Sequence, residues 1–203
     1  MSSQSPSIPR RALAASLVFA PALLLRVPAQ TPRLLTPRQT EGPYYPVALP
    51  ADSDSDLLTN GTLHYGQGKP VWLSGEVTDP DGHPVRGAQV EIWQCDEHGH
   101  YHHPGDGSRA DKAFQGFGQV TVDSDGRYRF RTIEPVPYTG RTPHIHMKVK
   151  LGRRELLTTQ VYVAGHAGNA RDYLWRQLGE QERAAVTVPF RAGEAFFPVV
   201  VQA

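Results

Sequence analysis

Short stretches in which apolar and polar residues alternate recur along most of this chain, and turn-forming residues end each of them. Residues 70–78 read PVWLSGEVT, and the tight-turn sequence Asp79-Pro80-Asp81-Gly82 follows. A period of two is the pattern of a β-strand that buries one face. Many glycines (19) and prolines (18) also favour turns over long helices. The sequence therefore predicts an all-β fold, a β-sandwich of short antiparallel strands with one short helix.

Further segments fit the same plan. Residues 85–95 predict another strand, and the turn at 123–126 predicts a hairpin between QVTVD (119–123) and RYRFRTI (127–133). Other predicted strands cover residues 144–151, 156–163, 184–190 and 196–201. Residues 171–178 predict the one helix.

The first 29 residues have a different composition. They contain no acidic residue, carry Arg10 and Arg11, and continue with an apolar run before Val27-Pro28-Ala29. A basic start, an apolar run of about 14 residues and a small-residue exit are typical of an export signal. The run is shorter than the roughly 20 residues of a membrane-spanning helix.

We therefore expect residues 1–29 to be an export signal and residues 30–203 to form one domain. The paired arginines resemble a twin-arginine signal, although the residues after them match it weakly. The expected location is the periplasm or the outside of the cell after signal cleavage. An uncleaved membrane anchor is the alternative.

Charge and cysteine content exclude several classes of protein. The chain has 21 basic and 20 acidic residues, and loss of residues 1–29 would leave 18 and 20. This near-neutral balance argues against nucleic-acid binding and against a polybasic membrane patch. Cys95 is the one cysteine, which excludes an intrachain disulfide and a multi-cysteine zinc site. Any metal must be held by other side chains.

Two histidines flank Ile145 at the start of a predicted strand. His144 and His146 project to the same side, because side chains on a strand alternate between its faces. Such a pair is half of a metal site, but two surface histidines would have the same pattern. One loop upstream carries four more histidines, His98, His100, His102 and His103. These elements alone leave zinc, copper or no metal open.

A wider set of segments resembles the intradiol ring-cleavage dioxygenases, the family of the protocatechuate and catechol dioxygenases. The segments follow the order of the family over roughly residues 37–165. They are TEGPYY (40–45), GAQVEIWQ (87–94), Asp96, GHY (99–101), RTI (131–133), PY (137–138), RTPHIH (141–146) and TTQVY (158–162). Together they are far more specific than one pair of histidines.

The resemblance implies a non-haem Fe(III) ion held by four side chains, Tyr101, Tyr138, His144 and His146. Fe(III) is a hard, acidic ion that suits phenolate oxygen, and coordination can hold tyrosine ionised although its free pKa is near 10. By the same resemblance Tyr138 and His146 would be axial ligands, with Tyr101 and His144 equatorial. The four loop histidines match no ligand position.

The resemblance also implies a reaction. Both atoms of O2 would enter a catechol, and the ring would open between its hydroxylated carbons to give a cis,cis-muconate-type diacid. Tyr138 would leave the iron and take a proton from the catechol. Arg141 would stabilise negative charge on the ring, and Gln160 would lie near it. The expected partners are a small catechol and O2, with no nucleic acid and no stable membrane insertion of the mature chain; an oligomer stays open.

Two departures from the family shape these expectations. No segment before residue 37 matches the helical dimerisation region of the catechol-type branch, so the chain looks closer to a protocatechuate-dioxygenase-type subunit. Only residues 139–143 separate Tyr138 from His144, where relatives have a longer loop. We therefore expect an open pocket. Two alternatives remain: a non-catalytic transthyretin-like or carbohydrate-binding sandwich, and a zinc or copper protein that uses the loop histidines.

Overall fold

The computed structural model describes residues 33–203. The predicted export signal, residues 1–29, lies outside the described residues and stays a prediction. The described part forms eleven short strands and two short α-helices, so the all-β fold class is confirmed. No helix in residues 33–203 has the length and apolar character needed to cross a membrane.

The strands are short, as the turn-rich sequence predicts. They are β1 (Thr59–Asn60), β2 (Leu63–His64), β3 (Pro70–Thr78), β4 (Ala88–Trp93), β5 (Phe117–Thr121), β6 (Arg127–Ile133), β7 (His144–Leu151), β8 (Arg154–Val163), β9 (Thr187–Val188), β10 (Glu194–Phe196) and β11 (Val199–Val200). The helices are α1 (Tyr173–Gln177) and α2 (Glu180–Val186). Strands β3 and β7 have the predicted bounds.

Two sheets form the sandwich. In the first, β6 pairs with β3 in antiparallel fashion, whereas β10 and β11 run parallel to β3. The second has the order β5-β4-β7-β8-β9. It is antiparallel except for the pair β8 and β9. The sheets are therefore mixed, and the prediction of antiparallel strands is wrong for these three pairs.

The predicted hairpin around residues 123–126 is also wrong. The turn itself forms, since the Gly126 amide donates to the Asp123 carbonyl at 3.0 Å. However, β5 pairs with β4 and β6 pairs with β3, so the turn carries the chain from one sheet to the other. A hairpin and a sandwich crossover can use the same turn residues and the same alternation, so the sequence pattern does not separate them.

The C-terminal part differs from the prediction in two places. Residues 196–201, predicted as one strand, form the end of β10 and the separate strand β11. Helix α1 lies within the predicted segment 171–178, but residues 184–190 do not form one strand. Helix α2 continues to Val186, and the strand is limited to β9. The Glu182 carboxylate accepts a hydrogen bond from the Gly179 amide at 2.7 Å, which stabilises the start of α2.

The main core lies between the two sheets. Leu73 from β3 and Phe130 from β6 are fully buried in the same apolar cluster as Ile145 from β7. Each such side chain contributes about 1.5–3 kcal/mol relative to an exposed position. Because Ile145 faces this core, the flanking His144 and His146 project from the opposite face of the second sheet.

Candidate metal centre

The second sheet presents a set of polar side chains on the face opposite the main core. His144 and His146 on β7 pair across the ladder with Tyr162 and Gln160 on β8, respectively. All four side chains are almost fully buried. Because directly paired residues share a face, the fold places Gln160 beside the two histidines. His144, His146 and Gln160 are the three predicted site residues that lie on strands.

Two neighbours pack against the His146 ring. The Trp93 indole, on the adjacent strand β4, stacks on it with ring centroids 4.9 Å apart and planes 9° apart. Gly42 lies in the segment that covers this face; a Cβ atom there would lie 3.3 Å from Cε1 of His146. Gly42 also has a φ of 76°, which favours glycine. These contacts fix the plane of the imidazole.

His144 presents a lone pair toward His146. Its Nδ1 lies 2.7 Å from the Thr142 carbonyl oxygen, and because a carbonyl only accepts, Nδ1 carries the proton. Burial lowers the pKa of His144 to about 3, and burial also holds the pKa of His146 well below its ordinary value. Both rings are therefore neutral at pH 7. Nε2 of His144 is unprotonated and lies 3.1 Å from Nε2 of His146.

Two loops bring the tyrosines to the same place. The ring centroid of Tyr101 lies 5.2 Å from that of Tyr138 and 6.1 Å from that of His146. The Tyr138 centroid lies 5.3 Å from that of His144. Tyr101 is held by its backbone amide, which donates to the Asp106 carboxylate at 2.9 Å. All four predicted ligand residues thus form one cluster.

Arg141 lies beside this cluster in a fixed orientation. Its Nη2 donates to the Gln160 carbonyl oxygen at 2.6 Å and lies 3.4 Å from the Tyr162 hydroxyl. Its Nε donates to the Asp172 carboxylate at 2.7 Å. The Arg141 side chain is 8% exposed and that of Asp172 is fully buried. The structure therefore brings Arg141 and Gln160 into direct contact beside the four predicted ligand residues.

Asp172 was not among the site residues predicted from the sequence. Its carboxylate accepts from Arg141, from the Thr142 amide at 3.1 Å, and from the amides of Leu174 and Trp175 at the start of α1. An aspartate before a helix is typical of an N-cap, so the sequence signal indicated the cap alone. The contact with Arg141 joins residues 31 positions apart and needs the folded chain.

The four loop histidines do not share a site. Each has a separate contact: His98 with Gln67, His100 with Asp106, His102 with the Phe114 carbonyl, and His103 with the Gly105 amide. Within residues 33–203, the one group of three or more His, Cys, Asp or Glu side chains close enough to share an ion is Asp79, Asp81 and His83, in the turn after β3. These contacts argue against a metal held by the loop histidines.

A cavity of about 350 Å³ adjoins the cluster. We call it the substrate cavity. Its walls are Gly42, Pro43 and Tyr44 on one side, with Thr40 beside them, and the turn from Tyr138 to Arg141 with Tyr173 on the other. Thr139 and Gly140 in that turn are exposed. The short link between Tyr138 and His144 thus forms an exposed rim.

The cluster fits a hard metal ion such as Fe(III). Two ligand atoms at right angles with bonds of about 2.1 Å would lie about 3 Å apart, close to the Nε2 separation of the two histidines. The Tyr101 hydroxyl is buried without a hydrogen-bond partner in the described chain, which costs about 1–3 kcal/mol unless a metal binds it. Burial raises the pKa of the Tyr101 and Tyr138 hydroxyls. Ionising these phenols therefore requires a strong Lewis acid.

The comparisons with known proteins identify the family of the chain. A family model described as Dioxygenase (Dioxygenase_C) matches residues 40–181, more than half of the chain. A hydroxyquinol 1,2-dioxygenase of Corynebacterium glutamicum is 35% identical over 143 residues, which cover 61% of this chain and 44% of that protein. The beta chain of a protocatechuate 3,4-dioxygenase of Burkholderia cepacia is 35% identical over 148 residues, or 66% of this chain and 61% of that one.

A solved structure is also similar. It is the dioxygenase domain of a dioxygenase and carbohydrate-binding protein fusion from Streptomyces sp. SirexAA-E, with 32% identity and a TM-score of 0.64. The match covers 83% of this chain and 99% of that one. The chain belongs to the intradiol dioxygenase family. It spans about half the length of the curated relatives it matches.

Proposed function

We propose that this chain is an intradiol ring-cleavage dioxygenase that opens a catecholic ring with O2 at a non-haem Fe(III) centre. The observation that carries the proposal is the buried cluster of two neutral imidazoles and two phenols. Family membership supports it, as do relatives named hydroxyquinol and catechol 1,2-dioxygenase. Tyr101, Tyr138, His144 and His146 would hold the iron. When bound, the ion would supply a Lewis acid that withdraws electron density from a chelating catechol.

Tyr138 is suited to proton transfer. It lies in a short turn closed by the hydrogen bond from the Arg141 amide to the Tyr138 carbonyl, 2.8 Å long. It lines the substrate cavity and is less buried than Tyr101. A phenolate oxygen at this position would take a proton from the incoming catechol.

Arg141 would stabilise negative charge on the substrate. It lines the substrate cavity, and contacts with Asp172 and Gln160 fix its guanidinium before substrate enters. A cation already held in place costs no reorganisation during the reaction. Gln160 would act through this orientation, because its carbonyl oxygen accepts from Arg141 and its amide donates to the Thr40 carbonyl at 3.2 Å.

The substrate class would be broad. The rim at Thr139 and Gly140 is exposed, so chelation by the two catechol oxygens would supply most of the affinity.

The proposal also includes export through the signal at residues 1–29, with a mature chain that begins near Gln30. N-terminal sequencing of secreted protein tests that part.

The reaction is tested by incubating iron-loaded protein with catechol under ¹⁸O2. We expect a muconate-type diacid that carries both labelled atoms, detected by mass spectrometry. Catechol that binds and stays intact would contradict the proposal and favour the non-catalytic sandwich. Cleavage beside the two hydroxylated carbons, which gives a semialdehyde, would also contradict it.

A further inference from the structure

A second cavity, of about 580 Å³, shares the wall from Tyr138 to Arg141 with the substrate cavity. We call it the arginine cavity. Its other walls come from two loops, one between β4 and β5 and one between β8 and α1. The charged and titratable side chains that line it are His98, His100, Arg109, Tyr138, Arg141, His166, Arg171 and Asp172.

The arginine cavity has an excess of positive charge. Its one lining carboxylate, Asp172, is neutralised by Arg141 at 2.7 Å. Arg109 forms an ion pair with Asp106 at 2.8 Å, and its side chain is 60% exposed. The Arg171 guanidinium has no hydrogen bond or ion pair with any residue from 33 to 203. The nearby carboxylates are therefore already paired, whereas Arg171 has free donors.

The positive groups lie on two separate walls. The loop that carries Arg109 packs on the start of segment 137–142, because a Cβ atom at Gly99 would lie 3.2 Å from the Pro137 carbonyl. The loop that carries Arg171 packs on the end of that segment, because a Cβ atom at Gly168 would lie 2.8 Å from the Thr142 hydroxyl. The segment between them contributes one further cation, Arg141, which is already paired with Asp172.

We propose that the arginine cavity binds a linear organic dicarboxylate. One carboxylate would accept hydrogen bonds from the Arg109 donors that Asp106 leaves free, and the other would pair with Arg171, so each end of the ligand would meet a cationic side chain. The polar lining also disfavours a bare apolar ring.

The ring-opened product of the proposed function belongs to this class of ligand. The identity of the natural occupant rests on the proposed function, whereas the site itself does not. Because the cavity borders Tyr138 and Arg141, a dicarboxylate bound there would contact the same turn that forms the rim of the substrate cavity.

The test uses iron-loaded full chain and isothermal titration calorimetry. The probe is adipate, a saturated six-carbon dicarboxylate; hexanoate and inorganic phosphate are one-ended and compact controls. We expect adipate to bind at least about tenfold more tightly than either control. Arg171→Gln and Arg109→Gln should each weaken adipate binding about tenfold, the change expected when a charged contact is lost. Arg153→Gln, an exposed substitution in the β7–β8 turn, is the matched control and should change nothing.

Equal binding of adipate and hexanoate, or tight binding of phosphate, would overturn the dicarboxylate assignment. Adipate binding that neither arginine variant weakens would place the ligand elsewhere, the iron included, and would overturn the site. The measurement does not depend on turnover. Protein that binds adipate as expected but does not cleave catechol would contradict the proposed function and leave this inference standing.

Discussion

The candidate metal centre has a strand-borne half and a loop-borne half, and they are held in different ways. His144 and His146 lie on β7 between two paired strands and are at most 1% exposed. Tyr138 and Arg141 lie in a short turn closed by one hydrogen bond, and contacts with Asp172 and Gln160 fix the Arg141 guanidinium. Rigid ladders suit residues that must keep a metal in place, whereas a turn suits a residue that must move. The difference assigns metal retention to the strands and chemistry to the loops.

Removing a strand-borne ligand should have the largest effect. His144→Ala deletes the free Nε2 lone pair, so we expect iron content and ring cleavage to fall to background. This loss exceeds the roughly 10–100-fold cost of changing an outer partner of a metal ligand. Metal analysis and turnover measure it, and His64→Ala, at an exposed position on β2, is the control. An H144A protein that retains iron and activity would refute the division between the two halves.

Changing Tyr138, the ligand in the short turn, should affect chemistry more than metal binding. Tyr138→Phe keeps the ring and removes the hydroxyl, so we expect iron to stay with the three remaining ligands. The value of kcat should fall about 10²–10⁴-fold, the usual contribution of a positioned base. Metal content and kcat on one preparation check this. Normal turnover would remove Tyr138 from the mechanism, and iron loss as complete as in H144A would show that the halves do not differ.

Because the rim at Thr139 and Gly140 is exposed, we expect the protein to accept several catechols. We expect kcat/KM for catechol, protocatechuate, 4-methylcatechol and hydroxyquinol to differ by no more than the roughly 10–200-fold that small apolar differences supply. A preference for protocatechuate beyond about 10,000-fold would require a dedicated, buried carboxylate site and would contradict the open pocket.

Asp172 joins the loop-borne half to helix α1, and its loss should have a smaller effect on activity. Asp172→Asn leaves the buried Arg141 without its charged partner, so we expect kcat to fall about 10–100-fold with iron content unchanged. The free energy of unfolding should fall by about 3 kcal/mol. A variant with full kcat would show that Arg141 needs no such positioning.

The buried ion pair between Arg141 and Asp172 also makes the stability of the protein depend on pH. Burial alone would raise the pKa of Asp172, but hydrogen bonds from Arg141 and from the Trp175 and Thr142 amides hold it below its ordinary value. Its contribution is therefore present above the unfolded pKa, about 3.9, and is lost as pH falls through the lower folded pKa. The stability difference between wild type and D172N should be constant from about pH 7 to 5 and shrink below about pH 4. A stability difference between wild type and D172N that grows as the pH falls would contradict this prediction.

The strand-borne half could be predicted from sequence because its signal is local. Alternation predicted the bounds of β7, and the same alternation put His144 and His146 on one face. The resemblance selected Gln160, but its contact with Arg141 depends on the register of β8. Local sequence patterns cannot distinguish two structures that use the same residues. The turn at 123–126 is such a case, because it connects the two sheets instead of forming a hairpin.

The loop-borne half depended on the resemblance. Nothing local to Tyr101 or Tyr138 predicts that their rings lie 5.2 Å apart, because they are 37 positions apart in sequence and in different loops. Asp172 was missed for the same reason, since its helix-capping contacts are local and its contact with Arg141 is not. The segment 184–190 was misassigned because short apolar runs fit a helix or a strand equally well.

The visible absorption spectrum of the purified protein, with metal analysis of the same sample, tests the central claim most directly. Two tyrosinates bound to Fe(III) should give a broad charge-transfer band, a red-brown colour and stoichiometric iron. Tyr101→Phe, which removes one of the two phenolates, should alter that band in any sample that keeps its iron. A colourless protein that contains zinc or no metal, or a blue-green one that contains copper, would contradict the assignment of Tyr101, Tyr138, His144 and His146 as a ferric site.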